Sequence, residues 1–337
     1  MSMQTSLSDS SDTIDSKNNT RTKGNSQLFS LIIIIVVIVV IFVIFNILAG
    51  GKFLTPSNMS IILSHATYPA LIAYGIVFLF ACNYIDLSLG AVLVLGAYTV
   101  NALGNLLGFP GVIAGGIAAG VLFVVINFSI FAFTRIPSWI AGIGLAMIYE
   151  GIALTLKSHQ VIKTFVDVPL NENFRTLGRL PHSAVILAIG IIVAFIIYNR
   201  TTIGLNIRAL GSNEEVARVL GINIKRTLIS VGLICGIFVG VGAFIFESYI
   251  GQMTIRTGLA SMYMVFHPLA TVLLAQIMQK RINIIIAIPI CAFIVYAIFN
   301  FLTSMNVPSG TIQEACLGFF VIAFGIVGRR GYKGIVK

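Results

Sequence analysis

Between Leu28 and Ala49 the chain carries no charged side chain, and long apolar runs of this kind recur almost to its end. This repetition constrains the fold more than any other feature. Lipid offers backbone N–H and C=O groups no partner, so a segment crossing it must be a helix or part of a closed barrel. Runs of about 20 residues are the length of a membrane helix, whereas a barrel strand needs only about 9–11. Spans are expected near residues 29–49, 59–81, 85–105, 111–133, 139–156, 183–199, 227–248, 259–279, 283–302 and 311–328. The expected fold is therefore all-α: a polytopic transmembrane helical bundle of about ten spans. Only 9% of the 337 residues are charged, against about 25% in a soluble domain, too few to cover a water-facing surface. The first run exceeds the roughly 7–15-residue core of a cleaved signal peptide and reads as a retained anchor.

The net charge is +10, but the basic residues sit at the ends of apolar runs. That placement suits anionic lipid headgroups and argues against nucleic acid, which would be met by a patch on one folded face. With the N-terminus in the cytoplasm, 15 of the 21 Lys and Arg residues fall on the inner side and 6 on the outer. This bias favours both termini in the cytoplasm and an even number of spans. Residues 1–27, rich in Ser, Asn, Thr and Asp, are expected to be a disordered cytoplasmic tail, residues 28–330 the membrane domain, and residues 331–337 a short cytoplasmic tail. Cys82, Cys235, Cys291 and Cys316 form no CxxC pair and read as packing residues. Two connections are too long for simple turns: an outer one at 157–182 and an inner one at 200–226.

The inner connection holds the sharpest local signal. Ser212 stands where a helix would be capped, and Glu215 three residues later completes a capping box. Glu214 and Glu215 place negative charge at the positive helix end. Gly221 can adopt the left-handed conformation that ends it. Val216, Val219 and Leu220 share one face, and Arg218 follows Glu214 by four residues and Glu215 by three, close enough to brace both. A helix this short does not persist alone in water. Its small apolar face with a charged rim has the form of a peg for a groove on another protein, with an interfacial helix lying on lipid as the alternative.

The run Glu215-Val216-Ala217, three residues ahead of Gly221, resembles the EAA-x3-G coupling signature of bacterial ABC importer permeases. The longer string from Ala209 through Asn213, Ala217 and Ile222 is similar to the version in the ribose, xylose and galactoside permeases. Ile85-Asp86-Leu87-Ser88-Leu89-Gly90 resembles that family's IDLS-hydrophobic-Gly motif, and Arg135-Ile136-Pro137-Ser138-Trp139-Ile140 its IPPFI segment. The motifs occur in the family's order, and the resemblance covers roughly residues 60–260. It implies a simple-sugar permease in the cell membrane with a cytoplasmic coupling helix at 212–221. It further implies ABC ATPase subunits beneath, a second permease copy or a sister permease alongside, and an extracytoplasmic substrate-binding protein above. Related permeases for nucleosides or branched-chain amino acids share the coupling helix. The chain has no GxxxxGK[ST] loop, so ATP is expected on a partner subunit and no cofactor on this chain.

The sequence departs from the family in two places. Residues 269–283, where a Gly-Gly pair is usual, contain no glycine, and Asn83-Tyr84 precedes Ile85 where the family favours Gly-Gly. A degenerate sister subunit of a heteromeric importer would fit that loss.

Among candidate residues, Asp86 either caps the helix starting near Leu87 or orients a broken span beside a pathway, and Ser88 and Gly90 suit close helix packing. Glu150 lies inside an apolar run, where an ionisable group is a functional candidate; the plainer alternative pairs it with Lys157 at the outer interface. Glu247, at the outer end of its span, reads as interfacial. Asn101, Asn105 and Asn127 would tie helices together or hydrogen-bond a sugar. His65, His159, His182 and His267 show no metal spacing and no partner pattern. Neither the several buried charges of an ion-coupled carrier nor the acid or histidine cluster of a membrane enzyme is visible.

Overall fold

In a computed structural model of the chain, residue 36 and residues 38–134, 136–158, 168–254, 258–279, 281–307 and 310–329 are described. The expected tails at 1–27 and 331–337 lie outside the described residues, as do Arg135 and His159. The chain divides into two compact units, Met1–Asn58 and Met59–Lys337.

In the first unit, helix α1 (Ile38–Leu48) carries Phe42 and Phe45, both meeting Phe53 edge-on with ring centroids 5.7 and 5.5 Å away. The turn after it is tied by Leu54 N donating to Asn46 Oδ1 at 3.0 Å.

The rest of the chain is an all-α bundle: α2 (Pro56–Ala81), α3 (Leu89–Leu107), α4 (Phe109–Thr134), α5 (Ser138–Ser158), the short α6 (Glu172–Arg175), α7 (His182–Arg200), α8 (Thr202–Ser212), α9 (Glu214–Val219), α10 (Ile224–Ile250), α11 (Tyr263–Met278, led in by a 3₁₀ turn at Ala260–Met262), α12 (Ile284–Ser304) and α13 (Thr311–Arg329). Among the described residues there is no strand. Among the described residues, eight helices are long and apolar enough to cross a membrane, and they match the second to ninth expected spans. The first and last expected spans correspond to shorter described apolar stretches, Ile38–Leu48 and Ile312–Val327.

Burial follows composition. Around the middle of α2, from Ala66 to Leu79, every side is buried, which makes it a central helix. On α7 a stripe of Val185, Ile189, Ile192, Val193 and Ile196 is exposed, the period of one helix face turned outward. The closest helix pair is α4 against α10. A Cβ on Gly120 would lie 2.6 Å from Gly240 Cα, and one on Gly236 would lie 2.7 Å from Val121 Cα. Small residues four apart let two backbones touch, the arrangement that favours association where lipid gives no hydrophobic drive. In the glycine-free stretch of α11, Val272 and Ala275 are buried in the main core, and Ala270 joins a small satellite core with Val295, Phe299 and Leu317.

Two spans start later than their apolar runs. α3 begins at Leu89 rather than near 85 because Asn83 (φ 67°) turns the chain and Asp86 holds residues 86–88 outside the helix. The backbone ahead of α11 likewise turns at Leu259, with φ 66°.

Candidate functional site

The three motif segments, far apart in sequence, converge at one end of the bundle. Residues 82–84, 136–138, 210–214 and 222–225 line one cleft of about 790 Å³. Ile85 N donates to Ser138 Oγ at 3.1 Å, which joins the second motif to the third directly.

The connection at 200–226 forms a helical hairpin, α8 then α9, separated by Asn213 alone. Its first arm is fastened to its neighbours. The Arg208 guanidinium lies 5.1 Å from the centroid of the Tyr198 ring on α7, a cation–π contact. Gly211 presses on the end of α2, where a Cβ would come within 3.0 Å of Cys82 Cα. Lys225, at the start of α10, sits 4.6 Å from the Phe133 ring centroid on α4.

The second arm, α9, is the expected short helix, but its cap differs by one residue. Ser212 is still helical, and its Oγ donates back to Arg208 O at 3.0 Å. Asn213 is the N-cap: it takes the extended conformation (φ −162°, ψ 113°), and its Oδ1 accepts from Glu215 N and Val216 N at 2.9 and 3.1 Å. With the cap at 213, Glu215 is the second helical residue, so the expected capping box does not form. Arg218 pairs with Glu214 at 3.0 Å, and no pair with Glu215 occurs among the described residues. Gly221 takes φ 81°, and Ile222 N closes the helix end on Ala217 O at 3.0 Å. Ala217 is buried, whereas Val219 is 87% and Leu220 71% exposed, with Val216 exposed beside them. The apolar edge of α9 is therefore uncovered.

Behind the cleft lies a buried polar network. Asp86 Oδ1 accepts from Ser88 N at 2.8 Å and Ser88 Oγ at 2.7 Å, and its Oδ2 accepts from Asn127 Nδ2 at 2.8 Å. Tyr149 donates to Asn127 Oδ1 at 2.6 Å. Asp86 thus bonds Ser88, one residue ahead of α3, rather than the first turn of that helix, and through Asn127 it connects the turn to α4 and α5. Asp86 lies outside the membrane-crossing helices; burial pushes its carboxyl above the usual range, while the bonds from Ser88 and Asn127 act the other way. Gly142 on α5 lets that helix approach, since its Cβ would stand 2.9 Å from Leu87 N.

Glu150 is buried and is not paired with Lys157. Its side chain accepts from Leu259 N at 2.9 Å and from Ser261 N and Oγ at 2.9 and 2.5 Å. The Ser261 carbonyl presses against Gly90, where no side chain would fit. Glu247 is fully buried rather than interfacial, and its carboxyl oxygens have no hydrogen-bond partner among the described residues. Asn105 ties α3 to the segment ahead of α6 through Pro169 O and Asn171 N, at 3.4 and 3.3 Å. His65 and His267, unconnected in the sequence, both lie beside Tyr296. The glycine contact of α4 with α10 was also missed, although the spacings Gly116-x3-Gly120 and Gly236-x3-Gly240 carry its signature.

Residues 58–327 match the family model described as branched-chain amino acid transport system / permease component. The chain is 26% identical over 228 residues to the galactose/methyl galactoside import permease protein of Haemophilus influenzae, covering 61% of this chain and 67% of the relative. It is 24% identical to the fructose import permease protein of Rhizobium meliloti, covering 63% and 62%. To the ribose import permease protein of Escherichia coli K12 it is 26% identical, covering 58% and 62%. The chain thus spans about two thirds or less of the length of these relatives. No solved structure matches.

Proposed function

Because this chain belongs to the permease-component family of branched-chain amino acid transport systems, we propose that it is the membrane-spanning subunit of an ATP-binding-cassette importer for a simple sugar. The single observation that carries this reading is α9: a capped helix with an exposed apolar edge, beside a cleft lined by Ile136, Pro137 and Ser138 of another motif segment. A lone two-turn helix is unstable in water, so an uncovered edge of Val216, Val219 and Leu220 calls for an external partner. An ATPase subunit docked from the cytoplasm fits that requirement, with hydrolysis on the partner. The names of the relatives favour a sugar over a branched-chain amino acid.

The working geometry follows from the contacts. A push on α9 reaches the end of α2 through Gly211, then the Asp86 turn, then Asn127 and Tyr149 on α4 and α5. Glu150, next to Tyr149, holds the start of α11 through Ser261. Packed helices shift between discrete arrangements rather than bending continuously, so a docked motor can switch the bundle through this chain of contacts. A binding protein delivering the sugar at the far end, a second permease copy or sister subunit, ten spans and cytoplasmic termini complete the proposal.

Co-purification tests it. Val219→Asp should weaken capture of an ABC ATPase subunit at least tenfold while membrane insertion persists. Unchanged capture and unchanged uptake in that variant count against docking at α9.

A further inference from the structure

At the end of the bundle opposite the α8–α9 hairpin, a cavity of about 320 Å³ opens between α2, α10, α11 and α12. Its polar lining is mostly aromatic and imidazole: His65 and Tyr68 from α2, Tyr249 from α10, Tyr263 and His267 from α11, and Tyr296 from α12, with Gln252 and Thr254 just beyond α10. Among the described residues, no Asp, Glu, Lys or Arg lines it. Tyr296 stands at the centre. Its hydroxyl lies 3.1 Å from His65 Nδ1 and 3.4 Å from the Tyr68 hydroxyl, and its ring stacks on His65 at 5.0 Å. Beside Tyr296, with ring centroids 5.8 Å apart, His267 has its Nε2 3.4 Å from the Tyr263 hydroxyl. His267 is only 8% exposed, yet its Nδ1 has no hydrogen-bond partner among the described residues.

The lining sets which ligand fits. A sugar ring offers an apolar C–H face to aromatic rings, and hydroxyls that donate and accept equally well. Tyrosine hydroxyls and imidazole nitrogens have the same versatility. A zwitterionic amino acid would bring an ammonium and a carboxylate, each needing a counter-charge, because an unpaired buried charge is strongly disfavoured. The volume falls at the lower end of small-molecule sites, about 300–1,000 Å³, which suits one ring and not an oligosaccharide.

We propose that this chamber binds a monosaccharide against the wall formed by Tyr296 and the two histidines beside it, His65 and His267. The proposal rests on the sugar-importer reading above and deepens it by placing the substrate within one permease chain.

The test uses the full-length chain in lipid nanodiscs, with D-galactose, D-fructose, D-ribose and D-allose as probes and L-leucine beside them. Saturation-transfer NMR reads binding through the ligand protons. At least one sugar should bind. Its affinity should fall roughly tenfold in His267→Ala and in Tyr296→Phe, the loss expected for one hydrogen bond. Tyr296→Phe keeps the ring, so it remains informative even where His267→Ala folds poorly. A sugar bound equally by wild type and Tyr296→Phe overturns the chamber and leaves the sugar reading standing. Silence from all four sugars also overturns the chamber; chain-dependent cellular uptake of one of them would then keep the sugar reading alive. A signal from leucine alone overturns both.

Discussion

Glu150 on α5 reaches Ser261, 111 positions further along the chain, and accepts both its backbone N–H at 2.9 Å and its hydroxyl at 2.5 Å. The same side chain accepts the N–H of Leu259, whose φ of 66° lies in the left-handed region. For a leucine that conformation costs about 1–2 kcal/mol, so the turn persists because its surroundings hold it. One buried carboxyl thus fixes where α11 begins and presses the Ser261 carbonyl onto Gly90.

Removing that acceptor leaves buried donors unpaired. Glu150→Ala should destabilise the chain by about 3 kcal/mol, seen as a lower thermal midpoint of the detergent-purified protein. Lys157→Ala should stay within about 0.5 kcal/mol of wild type. Equal losses from the two substitutions would instead indicate the ion pair expected from sequence.

The Asp86 network predicts coupling. Tyr149→Phe removes one donor to Asn127 Oδ1 and should cost about 1 kcal/mol, and Asn127→Ala about 2 kcal/mol. Combined, the two should cost less than their sum, because the Tyr149 bond is lost in both. Strict additivity in chemical denaturation would mean that the two side chains act separately.

Glycines in different settings should respond with opposite sign. Gly120→Ala puts a methyl 2.6 Å from the α10 backbone, and forcing the helices apart should cost about 1–3 kcal/mol. Gly144→Ala, on α5, meets nothing within 4 Å and should stabilise its helix by about 0.5–1 kcal/mol. Thermal unfolding of both variants checks the contrast.

On α9, Asn213→Ala should cost about 1 kcal/mol of helix stability and Ser212→Ala almost nothing. Gly221→Ala should cost about 1–2 kcal/mol through its positive φ alone, since a Cβ there meets no other atom within 4 Å. Faster amide hydrogen exchange across residues 214–219 in the first and third variants, but not in the second, is the expected pattern.

Much of this was legible locally. The eight long helices follow from hydropathy, and α9 from its own end signals, because both depend on residues adjacent in the chain. The cap moved from Ser212 to Asn213 because α8 runs on to 212, and Asn213 alone is left in the extended conformation a cap requires. Glu150 read as an interfacial partner of Lys157 because sequence exposes only neighbours one or two turns away. Its real partners lie on another helix. His65 and Tyr296 meet across 231 positions, so no spacing rule could have joined their rings.

By itself the sequence determined the solvent, the helical class and the place of the short helix α9, since lipid forces every crossing segment to satisfy its own backbone and α9 is marked by its own end signals. Tertiary structure alone decided the partners of Asp86 and Glu150, the close crossing of α4 with α10, and the gathering of tyrosines and histidines around one cavity. Within a helix, hydrogen bonding and hydropathy are set by near neighbours. Which faces of two helices touch is set by packing of the whole bundle, and that packing brings together residues the chain keeps far apart.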